Sequence, residues 1–423
     1  MMSSVASGIE SCRVCGSKNL VSIISLGRQY VSNFVDDDYV HKDEERVPLE
    51  LVLCDRDSNG CGLLQLKHTA SRDSLYRKKY WFRSGLNETM KDALADVTTK
   101  AERKIKLSPE DLVLDIGCND GTLLRSYKSK VKLIGFEPAT NLIDEAKVDT
   151  AYIINDFFNF ERFQKYFNDS KCKIITSIAM FYDLEDPNSF VKDVVKCLHP
   201  EGVWIIQMAY LNPMLELNAF DNIGHEHLQY YSLESLKKLL EKHGLIVFDV
   251  ELNDVYGGSF RVYIKHKYNH SIDILPSVIK LELDEKTFGL LNKKTYEEFA
   301  QRVSVIKEKL YNFIKKLNDE GKIVYAYGAS TKGNTLLQYC NLDYTLIKKA
   351  VDRDPVKYGK KTIGTKIPII SEEQGRKENP DYFLILPWHL AKYFKQREKN
   401  FLDSGGKFIV PLPEFKIIEK NSI

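Results

Sequence analysis

The spacing of apolar positions changes several times along this chain, and the changes divide it. Between residues 10 and 70 apolar residues come in short alternating bursts, such as Leu49-Glu50-Leu51-Val52-Leu53, separated by polar turns, which predicts short strands. Residues 86–106 read as helix. From 112 onward apolar runs alternate with amphipathic segments. The runs at 112–116, 131–136, 153–154, 174–179 and 203–208 are short and apolar enough to be strands buried on both faces. Two more, 244–250 and 259–265, flank Asn253-Asp254-Val255-Tyr256-Gly257-Gly258, a hairpin-like loop. The pattern predicts a doubly wound parallel sheet closed by a late antiparallel pair. Ser232 is placed to cap a helix over 233–243, with Leu233, Leu236, Leu239 and Leu240 inward and Gly244 as its stop. Residues 270–317 are helical and charged, with Phe299, Val303, Ile306, Leu310, Phe313, Ile314 and Leu317 at helical spacing. A second alternating block comes after them, with apolar runs at 323–327, 351–352, 383–388 and 407–411.

At 423 residues the chain exceeds what one hydrophobic core supports. The changes of pattern place three α/β or strand-rich units at 1–75, 76–268 and 269–423. Charge adds one constraint. With 61 basic against 59 acidic residues, the net of +2 makes no field that gathers nucleic acid or an anionic membrane. No basic flank leads into an apolar run at the N-terminus, and no run approaches the ~20 residues of a membrane span. A soluble cytoplasmic protein is expected, a monomer or small homo-oligomer, with no nucleic-acid or membrane partner.

The eight cysteines are unevenly placed. Cys118, Cys172, Cys197 and Cys340 lie in apolar segments and read as small buried residues. The other four crowd the first 61 residues. In Cys12-Arg13-Val14-Cys15-Gly16 two thiolates can face one ion, and Gly16 relieves the turn. Cys54 and Cys61 form a wider pair around a polar insertion. Two such pairs suit a tetrahedral Cys₄ zinc site of structural kind, since four thiolates leave no open position. The bland alternative is one tight turn and two unrelated thiols.

The most informative stretch runs Leu112-Val113-Leu114-Asp115-Ile116-Gly117-Cys118-Asn119-Asp120-Gly121. Here a strand ends in an acid and a Gly-rich corner, the place where open α/β sheets bind nucleotides. Gly117 and Gly121 let the backbone turn and approach a ligand closely. Asn119 stands where the second glycine of a dinucleotide-binding loop would be, so the corner fits S-adenosylmethionine better than NAD. Glu137, ending the next strand 22 residues after Asp115, can accept both ribose hydroxyls of a nucleoside. Asp156 can accept an adenine amino group while Phe157 packs on the ring.

Three further stretches carry candidate chemistry. Residues 73–85, dense in aromatic and basic side chains and including Tyr80, read either as a linker or as a lid over a ligand. Gly224-His225-Glu226-His227 lies in a loop just before the helix capped by Ser232. A histidine beside a carboxylate suits proton transfer near neutral pH, while two histidines one residue apart offer a metal too few ligands, and a hydrogen-bonded structural loop is the remaining alternative. The corner Gly328-Ala329-Ser330-Thr331-Lys332-Gly333 has Asn334 where a phosphate loop requires lysine. Its hydroxyls, lysine and helix start nevertheless suit an anion site, the alternative being a structural domain with no ligand.

Taken in order, these features resemble the S-adenosylmethionine-dependent sugar C-methyltransferases, which methylate a keto-deoxyhexose nucleotide at carbon. The resemblance spans nearly the whole chain: the cysteine pairs, the Gly117 corner, His225-Glu226-His227, Gly257-Gly258-Ser259-Phe260-Arg261 and the Gly328–Gly333 corner. It implies a zinc-binding N-terminal domain, a Rossmann-like class I methyltransferase core and a second Rossmann-like domain that takes the nucleotide sugar. It also implies roles. His227 is the base that removes the hydrogen next to a 4-keto group, Glu226 its carboxylate partner, with His225 and Tyr80 as supporting polar groups. The cofactor is held by Asp115, Gly117, Asn119, Gly121, Glu137, Asp156 and Phe157, and the nucleotide diphosphate by Ser330, Thr331, Lys332 and Arg261. Two departures stand out. Gly224 replaces a tyrosine found before the His-Glu-His in some members, and Phe181-Tyr182-Asp183 stands where some carry histidine. Two rival readings are a zinc-ribbon methyltransferase acting on RNA or protein, which calls for a basic face, and a non-catalytic nucleotide-binding module, which needs no proton-transfer loop.

Overall fold

The protein, seen in a computed structural model, is described for residues 6–72, 75–76, 80–150 and 152–420. The first sheet joins β1 (Leu20–Tyr30), β2 (Arg46–Cys54) and β3 (Leu64–Leu66) in antiparallel order. The alternation of Leu49, Leu51 and Leu53 aims one face of β2 into a core shared with the C-terminal part of the chain. The cysteine end belongs to a different core. Cys12, Val14, Cys54, Cys61 and Leu63 pack with Leu236, Leu239, Leu240 and Trp204. The small N-terminal unit is thus a wedge with a foot in each neighbour.

The central sheet uses the expected apolar runs: β4 (Leu112–Ile116), β5 (Lys132–Phe136), β6 (Tyr152–Ile154), β7 (Cys172–Ile178) and β8 (Leu198–Ala209), all mutually parallel. After them comes a two-residue strand, β9 (Gln229–Tyr230), and then the antiparallel β10 (Leu245–Asn253) and β11 (Ser259–His266). The spatial order is β10-β11-β8-β7-β4-β5-β6. Consequently β4 sits inside the sheet, and its carboxyl end opens beside those of β5 and β7. Strand β9 belongs elsewhere. It pairs with β3, so the loop carrying the histidines adds an edge strand to the N-terminal sheet. Side-chain periodicity gave no sign of this, because two residues carry no period.

The charged helical region is two helices, Pro276–Phe288 and Lys293–Asp319, separated at Gly289, whose φ of +91° ends the first. The last sheet comprises β12 (Val324–Tyr327), β13 (Lys349–Asp352), β14 (Ile369–Ser371), β15 (Tyr382–Ile385), β16 (Lys407–Val410) and β17 (Lys416–Ile418), ordered β14-β13-β12-β15-β16-β17. All of its pairs but the last are parallel.

Candidate active site

The Gly-rich corner after β4 takes the shape its residues require. Gly117 and Gly121 have φ of 75° and 78°, a region closed to most side chains. A Cβ on Gly117 would lie 3.1 Å from Met180 at the end of β7, so the corner faces that residue closely. Glu137, buried at the end of β5, accepts the N–H of Asn119 at 2.8 Å and that of Ala139 at 2.7 Å. Burial raises its carboxyl above the usual range against those two donors. Asp115 is pushed up to about 7, by burial first and then by the Glu137 charge, while the Thr176 hydroxyl donates to it at 2.6 Å. Asp115 therefore braces β4 against β7, and Glu137 is the acid that retains acceptor capacity at the strand ends. Asp156 pairs with Arg162 at 3.1 Å, and Arg72 lies 4.8 Å over the Phe157 ring. The glycine corner and a carboxylate preset by backbone donors fit an S-adenosylmethionine nucleoside.

Part of the aromatic stretch before the core, residues 73–74 and 77–79, lies outside the described residues. The remainder, residues 80–85, forms a strap across the corner. Tyr80 and Asn141 exchange two hydrogen bonds, Ser84 N–H donates to Asn119 and Gly85 N–H to Asp120. The Trp81 indole donates to Asn33 at 2.8 Å, and Asn33 in turn accepts from Asn334 beside the Gly328 corner. One strap thus ties the two Gly-rich corners together.

The histidine loop lies beside this corner. Immediately after Met180, the turn Phe181–Asp183 presents Tyr182, whose ring meets His227 edge-on at 4.6 Å. The Nδ1 of His227 lies 2.7 Å from the Asn222 carbonyl. A carbonyl only accepts, so Nδ1 carries the proton and the Nε2 lone pair is left to take another. Among the described residues Nε2 has no hydrogen-bond partner. Burial, and then the charge of Lys332, hold His227 down at about 4, so it is neutral at physiological pH. Glu226 does not contact that imidazole; its carboxyl is pushed up to about 7 by burial alone, and the Tyr76 hydroxyl donates to its carbonyl at 3.2 Å. The orienting acceptor of His227 is thus a backbone carbonyl rather than the neighbouring glutamate. His225 turns away to the Val47 carbonyl of β2 at 3.0 Å, which fastens the loop to the N-terminal sheet. The Tyr80 ring lies 6.0 Å from Tyr76 at the edge of the same region.

The Gly328 corner places its residues differently from one another. The Ser330 hydroxyl caps the helix α1 (Thr331–Tyr339) by accepting Gly333 N–H, and the Thr331 carbonyl accepts from Ser32. Lys332, in the first turn of that helix, stands near enough to the histidine cleft for its charge to act on His227 and on Asp221. Arg261 lies with neither group: its guanidinium donates to Gln207 at 2.8 Å and pairs with Asp96 and Glu251, so it is spent inside the central unit and unavailable to a phosphate. Three residues not anticipated from sequence, Asp221, Asn222 and Trp388, join the cleft. Asp221 accepts the Trp388 indole proton at 2.9 Å, and Asp221 Oδ1 and Asn222 Oδ1 are buried without a hydrogen-bond partner. The available signal was position: Trp388 comes just after β15 and Asp221 precedes the histidines, both at carboxyl ends where ligands bind.

The four early thiols converge, as the zinc-site reading of their spacing expects. Sγ of Cys12 lies 3.5 Å from that of Cys61, Cys15 lies 3.5 Å from Cys54, and all four fall within 4.8 Å of one another. A tetrahedron with Zn–S bonds of about 2.3 Å has edges of about 3.8 Å, so the set fits a structural zinc ion. Asn188 ties this knuckle to the central unit through the Arg13 and Val14 carbonyls.

Three family models match the chain in sequence order: a zinc binding domain over residues 12–76, a methyltransferase domain over 86–250 and a C-methyltransferase C-terminal domain over 254–413. Among curated proteins, the C-methyltransferase NovU of Streptomyces niveus is 32% identical over 424 residues, covering all of both chains. Solved structures with some likeness include an S-adenosylmethionine-dependent methyltransferase from Clostridium acetobutylicum (14% identity, TM-score 0.33, 41% of this chain and 91% of that one). Another is the plantazolicin methyltransferase BpumL in complex with SAH (13% identity, TM-score 0.33, 41% and 82%). The assignment rests on the full-length relative and the family models. With the zinc-ligating cysteines, the glycine corner and the histidine cleft accounted for, the chain belongs to the C-methyltransferase family and is an S-adenosylmethionine-dependent C-methyltransferase.

Proposed function

We propose that the enzyme methylates a nucleotide-linked 4-keto-6-deoxyhexose, at C3, in the making of a branched deoxysugar. Carbon is a poor nucleophile unless a neighbouring ketone makes its hydrogen acidic, so C-methylation of a sugar calls for a base beside the methyl donor. The observation that supports the reading is the position of His227, its Nδ1 fixed on Asn222 and its Nε2 lone pair available, one residue contact away from the donor corner through Tyr182 and Met180. Bound S-adenosylmethionine supplies an electrophilic methyl group, and Glu137, Asn119, Asp156 and Phe157 are the residues that would hold it. His227 takes the C3 proton. The buried Asp221 and Asn222 oxygens offer acceptors for sugar hydroxyls. Ser330, Thr331 and the strap residues border the space where the nucleotide part would lie.

The test is incubation with labelled S-adenosylmethionine and a panel of 4-keto-deoxyhexose nucleotides, read by mass spectrometry. The expected result is one methyl gained on carbon with at least one panel member. Methyl transfer to an oxygen of a fully reduced sugar, with none to any keto sugar, would overturn it.

A further inference from the structure

The cleft around His227 contains a group whose surroundings do not suit the task of gripping a diphosphate. Lys332 stands in the first turn of α1, and that helix packs on the turn Phe220–Asn222, where the Phe220 ring meets Tyr339 at 5.3 Å. The same turn supplies the Asn222 carbonyl that holds His227. Lys332 is therefore delivered from the C-terminal sheet to the base by a packed connection. Its side chain keeps some accessible surface although protein encloses it, as do those of His227 and Glu226, which is the signature of a deep cleft wall. Asp221 lies close enough to offset its charge and is itself anchored by Trp388.

An enclosed lysine with a carboxylate near it, here Asp221, gains little net stability, because desolvation offsets the attraction. It is also a weak anchor for a diphosphate, since the nearby carboxylate repels the same anion. An ammonium balanced in this way can still hydrogen-bond a single oxygen on which charge develops. Preset donors of that kind are the largest contributors to stabilising oxyanions. Gly224 brings no side chain to the cleft, and the Tyr230 and Tyr76 hydroxyls donate to the carbonyls of Asn222 and Glu226.

We propose that Lys332 is a catalytic residue that hydrogen-bonds the ketone oxygen and holds the enolate formed when His227 removes the adjacent proton. This rests on the proton-abstraction reading above. The carbon–hydrogen bond breaks, and its proton passes to Nε2 of His227. Its electron pair forms the carbon–carbon double bond, and the carbonyl π pair moves onto oxygen. Burial disfavours the Lys332 ammonium and the Asp221 charge favours it; in its protonated form Lys332 donates to that oxygen and keeps its proton through the step. No further reactant is needed, so the step runs without the methyl donor and can be watched alone.

The experiment tracks exchange of the hydrogen next to the ketone in deuterated water, on keto-deoxyhexose nucleotides, without S-adenosylmethionine. Removing one oxyanion donor typically costs about 10²–10³-fold. Lys332→Ala should lose exchange by that factor at saturating substrate, while its affinity for the free nucleoside diphosphate stays within about threefold of wild type. Added ethylammonium should restore part of the rate. Wild-type exchange by Lys332→Ala, a loss confined to nucleoside diphosphate affinity, or no recovery with the amine would each overturn the assignment. If the wild-type enzyme exchanges no hydrogen on any panel member, the proton-abstraction reading fails and the proposal with it. Exchange by wild type with no change in Lys332→Ala removes Lys332 alone.

Discussion

The two Gly-rich corners are built on one plan and put to different uses. In each, a parallel strand runs into a glycine loop, and an acid ending the neighbouring strand accepts an N–H of that loop: Glu137 from Asn119 at 2.8 Å, Asp352 from Ala329 at 2.8 Å. The difference lies in what surrounds the acid. Among the described residues, only backbone N–H groups donate to the Glu137 carboxylate. Asp352 is closed off by Lys357, which also bonds the Ala329 carbonyl. The first corner is shaped to receive a ligand. The second is packed on its own sheet and presents a helix, and with it Lys332, to the site next door. A shared local motif therefore does not fix a shared role; the neighbours decide.

The largest effect that would break this comparison comes from the wedge that holds the two corners in register. The histidine loop is an edge strand of the zinc-bearing sheet, and structural zinc contributes folding free energy outright. Chelation should release about one zinc per chain, lower the melting temperature and abolish exchange at the substrate carbon; full exchange in metal-free protein would separate the zinc unit from the site. Next in size is His227→Ala. A positioned base is worth about 10²–10⁴-fold, so exchange should fall by that factor while S-adenosylmethionine binding, measured by calorimetry, is retained. The pH profile sharpens the same point. Because His227 is held at about 4, the base stays neutral down to that pH, and exchange should fall only as pH drops through about 4 rather than near 6.5. The sign for stability is the same: the unfolded chain takes up the proton first, so stability is lost as pH falls from about 6.5 to 4.

Smaller effects separate the acids. Hydrogen bonds to a charged group contribute about 1.5–3 kcal/mol, so Glu137→Ala should weaken S-adenosylmethionine binding about 10–100-fold, and unchanged affinity would remove Glu137 from the donor site. Asp352→Ala should leave that affinity within about twofold and lower stability by about 1–3 kcal/mol in urea unfolding. Equal loss of cofactor affinity in both variants would mean that the two corners are not different after all.

The cysteine knuckle, the strand–helix rhythm, the antiparallel closing pair and the acids at strand ends were legible in the sequence, because each is written in local spacing. Strand period, glycine placement and thiol spacing act over a few residues, and backbone sterics and metal geometry give them few alternatives. The tertiary structure alone decided which side chains share a space. His227 is oriented by the Asn222 carbonyl and not by Glu226 beside it in sequence, because the turn at 220–222 brings that carbonyl to Nδ1. Arg261, expected at the phosphates, is consumed by Gln207, Asp96 and Glu251, since β11 runs antiparallel inside the sheet. Lys332 and His227, 105 residues apart, come within reach of each other's charge because two separate sheets are wedged together by a third. Local pattern fixes the elements; long-range packing, which depends on the complementary shape of every surface at once, fixes the chemistry between them.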